Sequence, residues 1–258
     1  MANKRLRTVK RNYSKRFLPA VQKAIIKYGM LQEGDKLALA VSGGKDSCAL
    51  LYIMSLVRAY APVSFSLQAV FVDMGWEMEL APLEALCSNL KIPFHVEKTK
   101  IAKIVFDVRK EKNPCSLCAK LRRGALHKAA KRLGCNRVAL GHHLDDVIQT
   151  FFLNLIFSGK MDTFKPNTYL SRQDLFLIRP LVYITSETLS SLALSKNLPV
   201  VKNPCPAAGE TKRHEMGTII DFITSRYPSF YRRFVTSMEK SGIWVAQPFC
   251  FDEAGPGR

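Results

Sequence analysis

The stretch Leu37-Ala38-Leu39-Ala40-Val41, followed by Ser42-Gly43-Gly44-Lys45-Asp46-Ser47, constrains this chain more than any other part of it. The apolar run reads as a buried strand, and Asp46 to Ala59 reads as a helix. A strand that passes through two glycines into a helix N-terminus is a ready anion site, because free N–H groups and the helix dipole both favour negative charge. Gly43 and Gly44 let the backbone approach a phosphate closely. Lys45 adds a positive charge, and Ser42 and Ser47 add hydroxyl donors. The spacing is not that of a Walker A loop, which puts four residues between its first glycine and its Gly-Lys pair.

The rest of the chain repeats the strand-then-helix pattern. Phe65–Asp73, Pro93–Val96 and Arg137–Gly141 read as further strands. Glu79–Leu90, Ser116–Leu133 and His143–Phe157 read as helices. Such alternation predicts an α/β fold, a doubly wound and mostly parallel sheet covered on both faces. Ligands in such sheets sit at the carboxyl ends of the strands. The Ser42–Ser47 loop, Asp73 and Gly141-His142-His143 all fall at such ends, so they are expected to line one crevice. Beyond Ser158 the pattern weakens: residues 160–174 read as a polar loop, Ile178–Leu181 as extended and Pro199–Val201 as a small strand. Ser186–Lys196 reads as a helix capped by its serine. Glu210–Tyr227 and Ser229–Lys240 read as terminal helices, and Trp244–Arg258 shows no periodicity.

The 258 residues carry a formal net charge of +18, which suits a polyanionic partner such as nucleic acid. Residues 1–28 hold nine Lys/Arg and no acid. Phe17, Leu18, Val21, Ala24, Ile25 and Tyr28 recur there at helical spacing, which predicts a basic amphipathic helix with a frayed leader. No apolar run is long enough to span a bilayer, and no apolar signal region follows the basic Met-Ala-Asn-Lys-Arg-Leu-Arg start. A cytoplasmic chain without membrane partners is expected. The seven cysteines are unevenly spaced, which argues against a secreted disulfide framework.

Two constellations carry chemistry. Gly141-His142-His143-Leu144-Asp145-Asp146 sits at a strand-to-helix turn. Asp145 or Asp146, together with Asp46, could hold Mg²⁺ against phosphates, since Mg²⁺ takes few carboxylates beside phosphate oxygens and water. The two histidines suit a phosphate or structural role. Cys115-Ser116-Leu117-Cys118 opens the basic helix, where the N-terminus favours thiolate. That spacing fits a redox pair, a zinc half-site or an iron–sulfur half-site. Further ligands would come from Cys205, His127 and His214, or from Cys135 and Cys250. Cys205 stands between two prolines in Asn203-Pro204-Cys205-Pro206. Cys48, Cys87, Cys135 and Cys250 lie in apolar settings and read as small hydrophobes.

The Ser42–Ser47 block resembles the PP-loop of the ATP pyrophosphatases, which cleave ATP to AMP and pyrophosphate. Gly29–Lys36 leading into that block, Cys115–Gly124, Ala139–Asp146 and Ile178–Leu181 together are similar to the tRNA 2-thiocytidine synthetase family, in that family's order. The resemblance implies an adenine nucleotide alpha hydrolase-like fold, with a basic arm at residues 1–28, a PP-loop ATPase domain at 29–210 and C-terminal helices at 211–258. It implies ATP and Mg²⁺, and a [4Fe–4S] cluster held by Cys115, Cys118 and Cys205. It also implies that pyrophosphate sits on Ser42, Gly43, Gly44, Lys45, Asp46 and Ser47, with Gly141 and His142 nearby and adenine near Val70, Val72 and Asp73. Lys45, Asp46, Asp145 and Asp146 would carry the catalysis, with Asp46 and Asp145 on Mg²⁺. A tRNA would meet Arg122, Arg123, Lys128, Lys131 and Arg132 on the basic helix and Arg5, Arg7, Lys10 and Arg11 on the arm. The expected reaction adenylates C2–O of cytidine in the anticodon loop and replaces that oxygen by sulfur, from a donor such as a cysteine desulfurase product; a homodimer is left open. Pro206-Ala207-Ala208-Gly209 stands where the best-known members have another cysteine, and Asn-Pro-Cys-Pro is nearer to the T-loop 2-thiouridine synthetases. Thiolation of a T-loop uridine is therefore the alternative, and a PP-loop ligase or amidotransferase-like enzyme acting on a small molecule is another. A non-catalytic iron–sulfur RNA-binding protein is opposed by the intact Lys45, Asp46, Asp145 and Asp146.

Overall fold

The computed structural model describes residues 17–110, 114–201, 203–207 and 212–245. Its elements in chain order are α1 (Leu18–Lys27), β1 (Lys36–Val41), α2 (Lys45–Tyr60), β2 (Ser66–Asp73), α3 (Ala81–Asn89), β3 (Phe94–Lys98), a π-helical turn (Lys103–Val108), α4 (Pro114–Arg132), β4 (Arg137–Ala139), α5 (Leu144–Ser158), β5 (Asn167–Leu170), β6 (Leu175–Ile178), α6 (Ser186–Ser195), α7 (Lys212–Arg226) and α8 (Phe230–Lys240). The sheet has six strands in the order β3-β2-β1-β4-β6-β5. All neighbouring pairs run parallel except β5 with β6.

The order reverses beside β1: chain progress runs outward through β2 and β3 on one side and through β4 on the other. A crevice opens at such a switch point, at the carboxyl ends of β1 and β4. Period-two alternation divides the core between the two faces of the sheet. Leu37, Leu39 and Val41 pack with α2 and α6 on one face, while Ala38, Val70, Val72 and Val138 pack with Ile101, Val105, Leu126 and Ala129 on the other. Helix α2 is apolar nearly all round, with Cys48, Leu50, Leu51, Ile53 and Met54 fully buried. A helix lying between the sheet and a further helix needs that pattern. Phe17, Val21, Ala24 and Tyr28 of the α1 region also join this core. Lys27 pairs with Glu239 of α8 at 2.9 Å, and Tyr28 shares a hydroxyl contact of 2.9 Å with Tyr183. Residues 18–27 are thus docked against the body of the protein.

Three expectations change. Residues 160–174 are not all loop, because Asn167–Leu170 pairs with Leu175–Ile178 as an antiparallel edge hairpin. Its turn contains no glycine and uses Asp174 at φ +48 instead, and Tyr169 lies 4.9 Å from Phe176 across the pair. Pro199–Val201 forms no strand, and is held to the loop after β1 by one backbone bond from Val201 N to Gly43 O at 2.9 Å. The cap of α6 is Thr185, whose hydroxyl accepts from Thr188 N, which leaves the Ser186 hydroxyl available elsewhere.

The start of the sheet is pinned by a buried ion pair. Asp35 and Arg137, each with a side chain 2 % exposed, meet through Oδ2 and Nε. Asp35 also accepts from Gln32 N at 2.6 Å and Asn136 Nδ2 at 2.8 Å, and the Arg137 guanidinium lies 4.5 Å from the Phe176 ring. The pair ties the entry of β1 to that of β4. Removing one partner of such a pair leaves a buried charge unmatched, so Asp35→Ala should cost about 3–5 kcal/mol in urea unfolding. Asp35→Leu combined with Arg137→Met should cost clearly less, because it removes both desolvated charges together.

Candidate active site

The loop after β1 is shaped by its own side chains and by Gly43. Ser47 Oγ accepts from Ser42 N at 3.2 Å and donates to Gly44 O at 2.8 Å, which closes the loop onto the first turn of α2. Gly43 has φ +82, a left-handed conformation that side-chain-bearing residues rarely adopt. No side chain caps α2, so its leading N–H groups face the end of the helix, where an anion is favoured. The β4–α5 turn reaches the same point. A Cβ on Gly141 would lie 3.2 Å from the Asp46 carbonyl oxygen, so a side chain there would press the two helix starts apart by a few tenths of an ångström.

Three carboxylates converge there on His143. Its Nε2 lies 3.8 Å from Asp46 Oδ2 and 3.4 Å from Asp146 Oδ2, and its Nδ1 lies 3.3 Å from Asp145 Oδ2. Burial opposes a charge on this imidazole, but Asp145, Asp146 and Asp46 together outweigh it and raise the His143 pKa. For Asp145, burial alone would raise the pKa; hydrogen bonding from His143, the Tyr231 hydroxyl at 2.6 Å and Ser186 N at 2.7 Å reverses this and lowers it. Lys45 Nζ donates to Asp46 Oδ1 at 2.6 Å and Ser186 Oγ at 3.1 Å, and Arg213 donates to Asp146 Oδ1 at 3.1 Å. Lys45, Asp46, Asp145 and Asp146 therefore form one cluster at the mouth of the anion loop. Its hard oxygen donors fit Mg²⁺. Sequence reasoning missed Ser186, Arg213 and Tyr231, which come from three helices distant in the chain and carry no local motif.

His142 does different work. Its ring stacks on Phe164 at 4.8 Å, and its Nδ1 accepts from Arg179 Nε at 3.2 Å. Burial, then the nearby Arg179 charge, pushes its pKa down to about 3. Arg179 also donates to Lys165 O at 2.6 Å, and burial followed by Arg123 lowers its own pKa to about 10. A neutral His142 thus orients Arg179. Val70 is fully buried and Val72 nearly so, so these two side chains build the floor of the sheet and present no open wall. Asp73 is half-exposed, and its Oδ1 accepts from Gly75 N at 2.8 Å.

Cys115 is exposed, while Cys118 and Cys205 are half-buried. Cys118 is acted on by the charge of both other thiols: burial raises its pKa most, Arg122 lowers it, and Cys205 and Cys115 raise it. The expected thiolate-favouring effect of the helix start is overridden here by burial. Among the described residues no three His, Cys, Asp or Glu side chains gather round a single metal ion. The three thiols are near enough to feel one another yet not collected at one point. Cysteine sulfur is the donor type that holds an iron–sulfur cluster, and Cys115, Cys118 and Cys205 are all at least partly accessible. Cys48 and Cys87 are buried, and burial first of all pushes both thiols up to about 11. Cys135 is raised by burial too, and Cys250 lies outside the described residues. Burial lowers the His127 pKa and leaves its Nε2 without a hydrogen-bond partner.

The basic face of α4 is unevenly committed. Lys131 pairs with Asp174 at 3.2 Å, and Arg132 reaches Glu97 at 2.5 Å and His95 at 2.9 Å. Arg122, Arg123 and Lys128 are exposed and enter no ion pair with the described residues. Burial acts most on the pKa of both Cys118 and His142, and the Arg122 charge acts less strongly to lower each. Arg5, Arg7, Lys10 and Arg11 lie outside the described residues.

Residues 10–216 match a family model described as a PP-loop domain. The chain is 36% identical over 232 residues to the tRNA-cytidine(32) 2-sulfurtransferase of Polaromonas naphthalenivorans, with 87% of this chain and 73% of that protein covered. It is 38% identical over 218 residues to the enzyme of that name from Pelobacter propionicus, covering 83% and 81%. Among solved structures it is similar to the U34-tRNA thiolase NcsA of Methanococcus maripaludis with its [4Fe–4S] cluster, at TM-score 0.69 and 26% identity, covering 86% of this chain and 77% of that one.

The depressed His142 pKa has a consequence for stability. An unfolded histidine takes up a proton near pH 6.5, whereas the folded His142 does so near 3. Below pH 6.5 the unfolded state binds more protons, so stability should be full above that pH and decline as pH falls toward 3, by at most about 1.4 kcal/mol per unit. In His142→Gln this part of the acid slope should be absent, as read by chemical denaturation at pH 7 and pH 5.

Proposed function

The chain belongs to the PP-loop domain family and, within it, to the tRNA-cytidine(32) 2-sulfurtransferases, and from that membership we propose how its residues divide the work. It is an ATP-dependent tRNA thiolase acting on cytidine 32. The observation that carries the division of roles is the meeting of two helix starts at Gly141, which sets the anion loop against Asp46, Asp145 and Asp146.

The Ser42–Ser47 loop and the N–H groups of α2 hold the pyrophosphate portion of ATP. The cytidine C2 oxygen attacks the α-phosphorus; the new O–P bond forms as pyrophosphate leaves. Lys45, steered by Asp46 and Ser186, sits beside the developing charge, where fixed cations act most strongly. Asp46 and Asp145 hold Mg²⁺, which supplies charge neutralisation on the phosphates. Tyr231 and Ser186 fix the orientation of Asp145, while Arg213 fixes that of Asp146. In the second half-reaction sulfide forms a bond to C2, the C2–O bond breaks and AMP departs, with no net change in oxidation state. Cys115, Cys118 and Cys205 hold the [4Fe–4S] cluster, which supplies the site that activates the incoming sulfur. Arg122, Arg123 and Lys128 bind the tRNA backbone, and Arg5, Arg7, Lys10 and Arg11 extend that contact. The sulfur comes from a donor such as a cysteine desulfurase product, whose persulfide sulfur is released as sulfide by a two-electron thiol reductant, and the reaction takes place in the cytoplasm. No helix among the described residues is long and apolar enough to cross a membrane. Pairing of two copies is supported by the exposed Ile156, Phe157 and Phe222 on α5 and α7.

Lys45→Ala should abolish tRNA-dependent turnover while iron content and fold persist. The wild-type products should be AMP and pyrophosphate; ADP with phosphate as the sole products would contradict the role given to the loop. Protein prepared anaerobically should carry about four irons per chain. Cys115→Ala, Cys118→Ala and Cys205→Ala should each lose them, and Cys48→Ala should keep them.

A further inference from the structure

A cleft of about 740 Å³ opens between the segment after β2 and the segment ending at Cys205, lined by Glu77, Met78, Glu79, Pro82, Val200, Val201, Asn203, Pro204 and Cys205. Its size lies in the range of small-ligand pockets. Apolar walls from Met78, Pro82, Val200 and Val201 suit a flat heterocycle. Cys205, one of the proposed cluster thiols, is part of its lining, and Val201 is bonded to the anion loop through Gly43 O at 2.9 Å. The cleft therefore borders both half-reactions.

Its charge is unusual for this protein. The chain has 39 Lys/Arg against 21 Asp/Glu, yet the cleft contributes two carboxylates, Glu77 and Glu79, and neither has a hydrogen bond or ion pair with the described residues. Carboxylates repel phosphate, so the cleft is unsuited to the triphosphate or the RNA backbone. They accept well from an exocyclic amine, as carboxylates do from cytosine N4. Asn203 completes the pattern: its Oδ1 accepts from Cys205 N at 3.1 Å, which leaves its NH₂ as a donor for a ring nitrogen or carbonyl. Cytosine offers the matching sequence of N4 donor, N3 acceptor and O2 acceptor. Uracil offers an O4 acceptor where cytosine has its amine, and would place that oxygen against a carboxylate.

We propose that this cleft receives the flipped-out target base and that Glu77 and Glu79, with Asn203, select cytidine over uridine. The proposal rests on the thiolase function given above and adds the specificity determinants. Adenine of ATP has the same amine-and-acceptor edge, but the base that is thiolated is the one that must lie beside a cluster thiol, and Cys205 lines this cleft. A carboxylate that rejects uracil is also a device of exclusion, since an unpaired acceptor facing an acceptor costs more than a missing contact.

The test uses the cluster-loaded enzyme and two anticodon stem-loop RNAs, one with the natural cytidine and one with uridine at the same position. Thiolated nucleosides are measured by mass spectrometry, and the KM for ATP is followed alongside. Glu77→Gln, Glu79→Gln and the double variant put an amide donor where uracil O4 would lie. At least one of them should lower the cytidine-over-uridine ratio of kcat/KM by about tenfold or more, partly through a gain on uridine, with the KM for ATP unchanged. The matching alanine variants should lower cytidine use and raise uridine use less than the glutamine variants do, because they remove the repelling carboxylate but supply no donor. A ratio unchanged in all the glutamine variants would overturn the inference. So would a rise in the KM for ATP with the ratio unaltered, which would assign the cleft to adenine. Wild-type enzyme that thiolates neither RNA, yet cleaves ATP, would instead remove the assigned function and this inference with it.

Discussion

Everything in the crevice depends on how closely the start of α2 and the β4–α5 turn approach one another. The contact is backbone against backbone: the space beside Gly141 ends at the Asp46 carbonyl, 3.2 Å from where a Cβ would stand. Two parallel strands adjacent in the sheet, β1 and β4, deliver these two turns to the same height. Helix dipoles explain why acidic residues gather at both starts. Three carboxylates in one place would repel one another strongly in a low-dielectric site. His143 stands among all three, and Lys45 and Arg213 pair with Asp46 and Asp146. Each carboxylate has a partner from another element, His143 for Asp46, Tyr231 and Ser186 for Asp145 and Arg213 for Asp146, and these partners hold the carboxylates where a cation and a phosphate would meet.

The distribution of positive charge separates two kinds of cation. Lys131 and Arg132 sit far along α4 and are tied to Asp174 and Glu97, so they brace the helix against the edge hairpin and β3. Arg122, Arg123 and Lys128 carry no such pairing among the described residues. A composition of +18 therefore overstates the number of cations that a polyanion could claim, and Arg122, Arg123 and Lys128 are the ones the proposed function gives to RNA. The cleft lined by Glu77, Glu79 and Cys205 is of the opposite charge, which on the inference drawn above would keep backbone phosphate out of it.

The fold was legible wherever a local rule coincided with the global one. Strands that end in glycine, histidine or aspartate, followed by helices with acidic first turns, identify the sheet and the crevice together, and the Ser42–Ser47 loop with Asp145 and Asp146 could be found this way. The edge hairpin was not legible because its turn uses Asp174 at positive φ in place of glycine, and because an edge strand with Asn167, Thr168 and Tyr169 shows little apolar alternation. The role of Tyr231 could not be read either: its neighbours Phe230 and Phe234 pack with Phe151 and Phe152 as ordinary core aromatics, and only the fold brings its hydroxyl to Asp145. Val70 and Val72, which the resemblance sets near adenine, have buried side chains because their strand carries helices on both faces, and Asp73 just beyond them is half-exposed.

The link between the anion loop and the cysteine segment is a single backbone bond, Val201 N to Gly43 O, at a residue whose φ of +82 excludes most side chains. Had Pro199–Val201 been a sheet strand, as its sequence suggests, Cys205 would follow the sheet and stand at a fixed height beside the other strand ends. The segment is instead fastened by that bond to the loop after β1, and a Cβ at Gly43 would press on Val201 at 3.2 Å. The chemistry of a two-step thiolation needs the adenylated base to meet sulfur without leaving the crevice. Under the roles proposed above, a Cys205 four residues beyond a bond to the loop after β1 would serve that need. The extended Asn203-Pro204 connection adds stiffness, since proline fixes its own φ and restricts the residue before it. On the same proposal, the segment that looks least regular in the chain would register the two half-reactions against each other.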